Sequence, residues 1–164
     1  MEATQVSIRQ AVEADRETLT ELIVAAFADV TVLRWREERF GIIGGRRWED
    51  WEADLMRTVD LKWVIIAEEA GRAVGFATYE LNDATRIGNV SDNAVLPEYR
   101  GRGIGGKLLE CVLRLMEEAG MEFAQVSTGL NDAYAPARRM YERQGFEPLN
   151  RSALYMKNLA QNFA

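Results

Sequence analysis

Around residue 100 the hydrophobic period changes from two to about 3.6 across a glycine-rich arc, and few folds accommodate such a junction. Ile87 to Leu96 (IGNVSDNAVL) reads as a strand and Pro97-Glu98-Tyr99 as a turn. Ile104 to Ala119 reads as a long helix whose apolar positions Ile104, Leu108, Cys111, Val112, Leu115 and Met116 form one stripe before Gly120 ends it. Between strand and helix lies Arg100 to Leu108, RGRGIGGKL. Amides of such an arc, and of the helix's first turn, converge on one spot with the positive end of the helix dipole behind them, a site suited to a pyrophosphate. Arg100, Arg102 and Lys107 add positive charge there.

The arc fits three phosphate-binding patterns. Gly101, Gly103 and Gly106 spell the dinucleotide fingerprint, but the acid about twenty positions on, Glu122, opens its strand instead of closing it, and three antiparallel strands precede the loop. Gly101, Gly106 and Lys107 spell most of a nucleoside-triphosphate loop, but Leu108 stands where a magnesium-binding Ser or Thr belongs. The third pattern, R-x-x-G-x-G from Arg100 to Gly105, agrees with the strand before it and the helix after it.

The rest of the chain supplies a mixed sheet. Val6 to Ala11 alternates like a strand, and Leu19, Leu22, Ile23 and Ala26 recur at helical spacing between Asp15 and Ala28. A second helix is predicted from Arg46 to Met56, with Arg34 to Gly45 either helix or loop. Lys62 to Glu68, Ala73 to Leu81 and Ile87 to Leu96 form a predicted antiparallel meander. Phe123 to Thr128 is a strand, Ala135 to Gln144 a helix stopped by Gly145, and Phe146 to Leu149 with Ala153 to Lys157 a closing hairpin. The order β-α-α-β-β-β-α-β-α-β-β is an α/β fold with a single mixed sheet flanked by helices.

Composition narrows the chemistry. The 164 residues form one domain across the whole chain, with 48% hydrophobic and 28% charged residues. There is no histidine, and the one cysteine, Cys111, falls on the apolar stripe of the long helix. Disulfide frameworks, Cys/His zinc sites and Ser-His or Cys-His dyads are thereby excluded, no metal is expected, and Cys111 is assigned to the core. A net charge of −6 opposes general nucleic-acid binding and favours cationic small molecules. The N-terminus lacks a leader pattern and no run approaches the ~20 apolar residues of a membrane span, so a cytoplasmic location without a membrane partner is expected.

Two motifs together carry a family resemblance. Ala94-Val95-Leu96-Pro97-Glu98-Tyr99 followed by Arg100-Gly101-Arg102-Gly103-Ile104-Gly105, and downstream the helix Ala135 to Phe146 ending in Y-x-x-x-G-F, resemble the acetyl-CoA motif and second signature of the GNAT superfamily of N-acetyltransferases over nearly the whole chain. The resemblance implies the acyl-CoA N-acyltransferase fold, with a mostly antiparallel sheet splayed at its central strand pair. It implies acetyl-CoA as co-substrate, held by the arc from Arg100 to Lys107 including Gly106, and by main chain around Ala94 and Val95 at the splay. Tyr141 matches the family's general acid, and Asn131 corresponds loosely to an asparagine that contacts the cofactor.

The acceptor side is less determined. Acetyl transfer to an amine needs a held cofactor, a polarised thioester, a neutral amine and a protonated leaving thiolate. Where family members often carry a strand glutamate, Ile87 to Leu96 offers only one carboxylate, Asp92; it is a candidate base or ammonium anchor, Glu80 is a second candidate, and ordered water is a third route for the proton. Trp35, Phe40, Trp48 and Trp51 either pack a helix on the sheet or line an acceptor pocket, with Glu37, Glu38 and Asp50 available for a cation. The expected function is direct acetyl transfer, in a ternary complex, to a primary amine of a small molecule or peptide. A non-catalytic acyl-CoA sensor, and a protein N-terminal or longer-chain acyltransferase, are the alternatives. Relatives in the family are often homodimers.

Overall fold

A computed structural model describes residues 5–160. Five strands form one sheet in the order β1-β2-β3-β4-β5: β1 (Ser7–Gln10), β2 (Val64–Glu69), β3 (Arg72–Asn82), β4 (Ile87–Val95) and β5 (Phe123–Val126). The first three pairings are antiparallel and β4–β5 is parallel, so the sheet is mixed as expected. Between β1 and β2 run three helices, α1 (Arg16–Phe27), α2 (Val32–Phe40) and α3 (Trp48–Thr58); α4 (Ile104–Glu118) joins β4 to β5, and α5 (Ala135–Arg143) follows β5. The segment left open between helix and loop is therefore mostly helix, started by Thr31, whose hydroxyl accepts the Leu33 amide at 3.1 Å.

Helices cover both faces of the sheet. On one face Leu19, Ile23 and Met56 of α1 and α3 pack on Val64, Ile66, Phe76 and Ala94. On the other, α4 lays Ile104, Leu108, Leu109, Val112 and Met116 on Ile65, Ala77, Tyr79 and Val90. Leu108 and Leu109 are wholly buried, each worth roughly 2 kcal/mol by removal from water. Cys111 lies partly buried beside this core, consistent with its assignment there. Gly88 permits the close approach of α4 to β4, since a Cβ there would meet Met116 Sδ at 2.5 Å.

The closing hairpin expected from Phe146 to Lys157 does not form. Residues 146–158 make no strand, and Leu149, Leu154 and Tyr155 are exposed. A four- and a five-residue run make a marginal hairpin, and the adjoining edge strand β5 is itself only four residues long. Among the described residues no helix is long and apolar enough to cross a membrane.

Candidate active site

The arc after β4 is built from backbone. Gly101 and Gly103 have φ of 74° and 78°, in the left-handed region that other residues enter only at a cost, and Gly103 is the residue from which α4 starts. No side chain caps α4. The amides from Gly101 to Gly106 donate to no acceptor among the described residues, whereas the amides on either side, Arg100 and Lys107, donate to the Pro97 and Gly103 carbonyls. Six consecutive N–H groups at the start of a fifteen-residue helix are thus left without an acceptor among the described residues, an arrangement chemically suited to an anion.

The arginines of the arc have partners within the protein. Arg100 donates to the Ala26 carbonyl at 2.6 Å and the Val95 carbonyl at 3.1 Å, pinning the arc to the end of α1 and to β4. Arg102 pairs with Glu69 and lies over the Tyr99 ring at 5.3 Å. Lys107 is exposed and has no carboxylate partner among the described residues. Ile104 is buried in the core, and Gly105 backs onto Met140 and Asn93, whose side chain donates to the Gly105 carbonyl at 3.0 Å.

Beside the arc the sheet opens. β5 pairs only with Ile87 to Val90, so from Ser91 to Val95 the β5 side of β4 has no strand on it. The Leu96 amide donates to Val74 on β3, and strand alternation then turns the polar main-chain groups of Val95 and Asn93 toward the gap and those of Ala94 toward β3. The Ala94 side chain is core, and Val95 packs partly buried on the α4 face.

A bulge aims Asp92. Thr78 is opposite Asp92 and Tyr79 opposite Val90, so Ser91 is an extra residue in β4. Val90 and Val95 both pack on the α4 face although an odd number of positions separates them, and Asp92 shares the parity of Ala94, on the face of α1 and α3. Without Ser91 it would point the other way. Its Oδ2 accepts the Thr78 hydroxyl at 2.7 Å, and burial pushes its carboxyl above the usual aspartate range.

Tyr141 borders the same gap from α5. It is buried, edge-on to Phe146 at 5.8 Å, and its hydroxyl donates to no group among the described residues. Burial, with the Asp92 charge as a second cause, pushes the phenol up to about 12. Asn131 starts the turn into α5; its carbonyl accepts from Arg138 at 2.9 Å, and its side chain is exposed.

A sequence profile described as the acetyltransferase (GNAT) family matches residues 22–146. The chain belongs to that family. An N-acetyltransferase of uncharacterised function from Archaeoglobus fulgidus is 36% identical over 90 residues, covering 52% of this chain and 60% of that protein. An aminoalkylphosphonate N-acetyltransferase from Salmonella typhimurium is 31% identical over 86 residues, covering 50% of this chain and 54% of that protein. The chain thus spans about half to three fifths of the length of these relatives. Among solved structures, a GNAT family acetyltransferase from Brucella melitensis in complex with acetyl-CoA superposes with a TM-score of 0.63 at 23% identity, over 89% of this chain and 85% of that one. An aminoglycoside N-acetyltransferase in complex with CoA gives 0.65 at 20% identity, over 94% and 96%. At such identities the likeness is one of fold.

The aromatic residues singled out for the acceptor side of this GNAT domain lie on α2 and α3. Trp35 meets Tyr134 edge-on at 5.8 Å, and Tyr134 donates its hydroxyl to the Val30 carbonyl. Trp48 is core; Trp51 is exposed beneath Arg46, and Phe40 is exposed. The acids proposed for a cation are engaged: Glu37 with Arg47 at 3.1 Å, Glu38 with Arg34 at 2.9 Å, and Asp50 with the Arg47 amide at 3.2 Å. Glu80 is exposed and lines a concave surface of about 600 Å³ with Asn82, Asn89 and Gln125, at the end of β3 and β4 away from the arc.

One residue of the site escaped the sequence reading. Glu52 is only 4% exposed, on the buried stripe of α3 with Trp48, Ala53 and Met56. It accepts the Thr31 hydroxyl. Burial, and behind it the charge of Asp92, raises its carboxyl above the usual glutamate range. The signal was present: a carboxylate four positions after Trp48 and four before Met56 sits where the helix period demands an apolar group.

Proposed function

We propose that this domain transfers the acetyl group of acetyl-CoA to a primary amine of a small molecule or peptide by direct attack in a ternary complex. The observation that carries this reading is the run of six free amides from Gly101 to Gly106 beside the open edge of β4. Those amides fit the pyrophosphate, and the polar groups of Asn93 and Val95 at the gap fit the pantetheine arm and thioester carbonyl. Arg100 and Arg102 hold the arc in shape, and Lys107 adds the free charge.

The amine nitrogen attacks the carbonyl carbon, a C–N bond forms, and the C–S bond breaks as the tetrahedral species collapses. Asp92 takes the proton of the acceptor ammonium, which burial favours by raising its affinity for protons. Tyr141 gives its phenolic proton to the departing thiolate and is reprotonated by the proton that the attacking nitrogen loses on becoming an amide; pushed up to about 12, it is protonated throughout the neutral range. An aminoalkylphosphonate N-acetyltransferase among the sequence relatives and an aminoglycoside N-acetyltransferase among the structures of like fold support small-molecule amines as acceptors. A cytoplasmic setting suits such a substrate pair.

The test is thermal unfolding with and without acetyl-CoA. At a hundred times its dissociation constant the ligand stabilises by about 2.7 kcal/mol, and the expected upward shift is absent with ATP or NAD. No shift with acetyl-CoA would overturn the reading.

A further inference from the structure

We infer that Glu52 is a specificity-determining residue that receives a second positive charge on the acceptor, so that the preferred substrate is a diamine or polyamine without an acid group near the reacting nitrogen. This rests on the acetyl-transfer reading of the site and adds the acceptor's charge to it.

A carboxylate on the buried stripe of a helix is costly unless something compensates it. The other acids of α2 and α3 illustrate the ordinary remedy: Glu37, Glu38, Glu49 and Asp54 each pair with an arginine. Glu52 has no cation within 4 Å among the described residues, and its single hydrogen bond comes from Thr31 to Oε1. Among the described residues its other oxygen has no partner, yet no buried side-chain polar atom there is both sealed from solvent and unpaired, so Oε2 faces accessible space. The protein leaves one charged oxygen of an almost wholly buried residue open to whatever enters.

The surroundings say what that is. Asp92 faces Glu52 from β4 closely enough for its charge to raise the Glu52 carboxyl, and Asp92 in turn acts on Tyr141. Tyr134 flanks Glu52 and is raised by its charge, after burial. Arginines of neighbouring elements are committed elsewhere: Arg34 to the Ala28 carbonyl and Glu38, Arg100 to the Ala26 and Val95 carbonyls, Arg138 to the Gly129 and Asn131 carbonyls. Among the described residues the surroundings of Glu52 therefore present two carboxylates and no cation within 4 Å of it. A second ammonium on the acceptor satisfies Oε2, whereas an acid on the acceptor would meet uncompensated negative charge.

The test is thiol release by the full chain from acetyl-CoA with three acceptors of matched length: diaminobutane, butylamine and aminobutyrate. The expected order is diaminobutane over butylamine by at least about tenfold in kcat/KM, the low end of what a desolvated charge pair contributes, with aminobutyrate poorest. Glu52→Gln is expected to erase that preference by raising KM for the diamine and not for butylamine, with the stabilisation by acetyl-CoA retained. Indifference of the wild-type protein to acceptor charge, failure to turn over the diamine, or an intact preference in Glu52→Gln would each overturn this inference while acetyl-CoA still stabilised the protein. Absence of that stabilisation would overturn the acetyl-transfer reading and this inference with it. The wild-type series stands even if the variant fails to fold.

Discussion

Thr78 and Asp92 exchange two hydrogen bonds across the bulge in β4: the Thr78 hydroxyl donates to Asp92 Oδ2 at 2.7 Å and accepts the Asp92 amide at 3.0 Å. The pair holds a partly buried carboxylate on the α1 and α3 face of β4, without neutralising it. An acid held this way is ready to take a proton, and the protein is less stable for holding it.

Asp92→Asn should therefore separate stability from activity. The folded carboxyl titrates above its unfolded value near 3.8, so the stability it contributes is fully present below that value and is lost as pH rises through the raised one. At neutral pH the amide variant, which still accepts from Thr78, is expected to unfold at a higher temperature, by about 1 kcal/mol, with the advantage vanishing in acid. Turnover should fall about a hundredfold or more. Melting curves from pH 3 to pH 8, roughly spanning the carboxylate and neutral ranges, together with thiol-release rates, check both halves.

Gly103→Val should abolish acetyl-CoA binding. A Cβ at this position meets no protein atom within 4 Å, so the side chain has room; the φ of 78° is what the valine cannot adopt without strain. The expected result is about 1–2 kcal/mol of lost stability and no melting shift with acetyl-CoA. Normal affinity in a folded Gly103→Val protein would remove the pyrophosphate assignment.

Tyr141→Phe should leave the fold and cofactor affinity intact, because the hydroxyl makes no protein hydrogen bond while the ring packs on Phe146. Turnover is expected to drop by roughly 10²- to 10⁴-fold. Comparable rates for variant and parent in steady-state thiol release would make Tyr141 a core residue and nothing more.

Arg100→Ala tests whether this arginine acts through the arc or on the ligand. Its guanidinium joins the Ala26 and Val95 carbonyls and lies 3.5 Å from Asp29, so its removal should loosen the join between α1, β4 and the arc. A stability loss of about 1 to 2 kcal/mol is expected, together with weaker acetyl-CoA binding that Arg100→Lys does not restore, since an ammonium cannot span both carbonyls. Full recovery of affinity in the lysine variant would show that charge alone is needed.

Much of this was legible in the chain itself, for local reasons. The meander from Lys62 to Leu96 follows from strand-forming runs bounded by polar turns, α4 from its apolar stripe, and the arc from glycines whose backbone only glycine takes easily. Signals of that kind are carried by residues near one another in sequence. The expected closing hairpin failed for the complementary reason: pairing is not a local property, and Leu149, Leu154 and Tyr155 find no strand to join.

What the tertiary structure decided was the direction and partnership of charges. Asp92 points toward α3 because Ser91 adds one residue to β4, a register fact with no counterpart in the alternation of the strand. Arg100 and Arg102, read as ligands for a phosphate, are instead tied to Ala26, Val95 and Glu69, groups far away in sequence. Glu52 stands between Trp48 and Met56 for anyone to read, but its meaning depends on Thr31, Tyr134 and Asp92 closing around it from three other elements. Sequence determines where the backbone bends and which faces are apolar, because those follow from steric and solvent preferences of single residues; which charges are left unpaired in a crevice is settled only when distant segments pack.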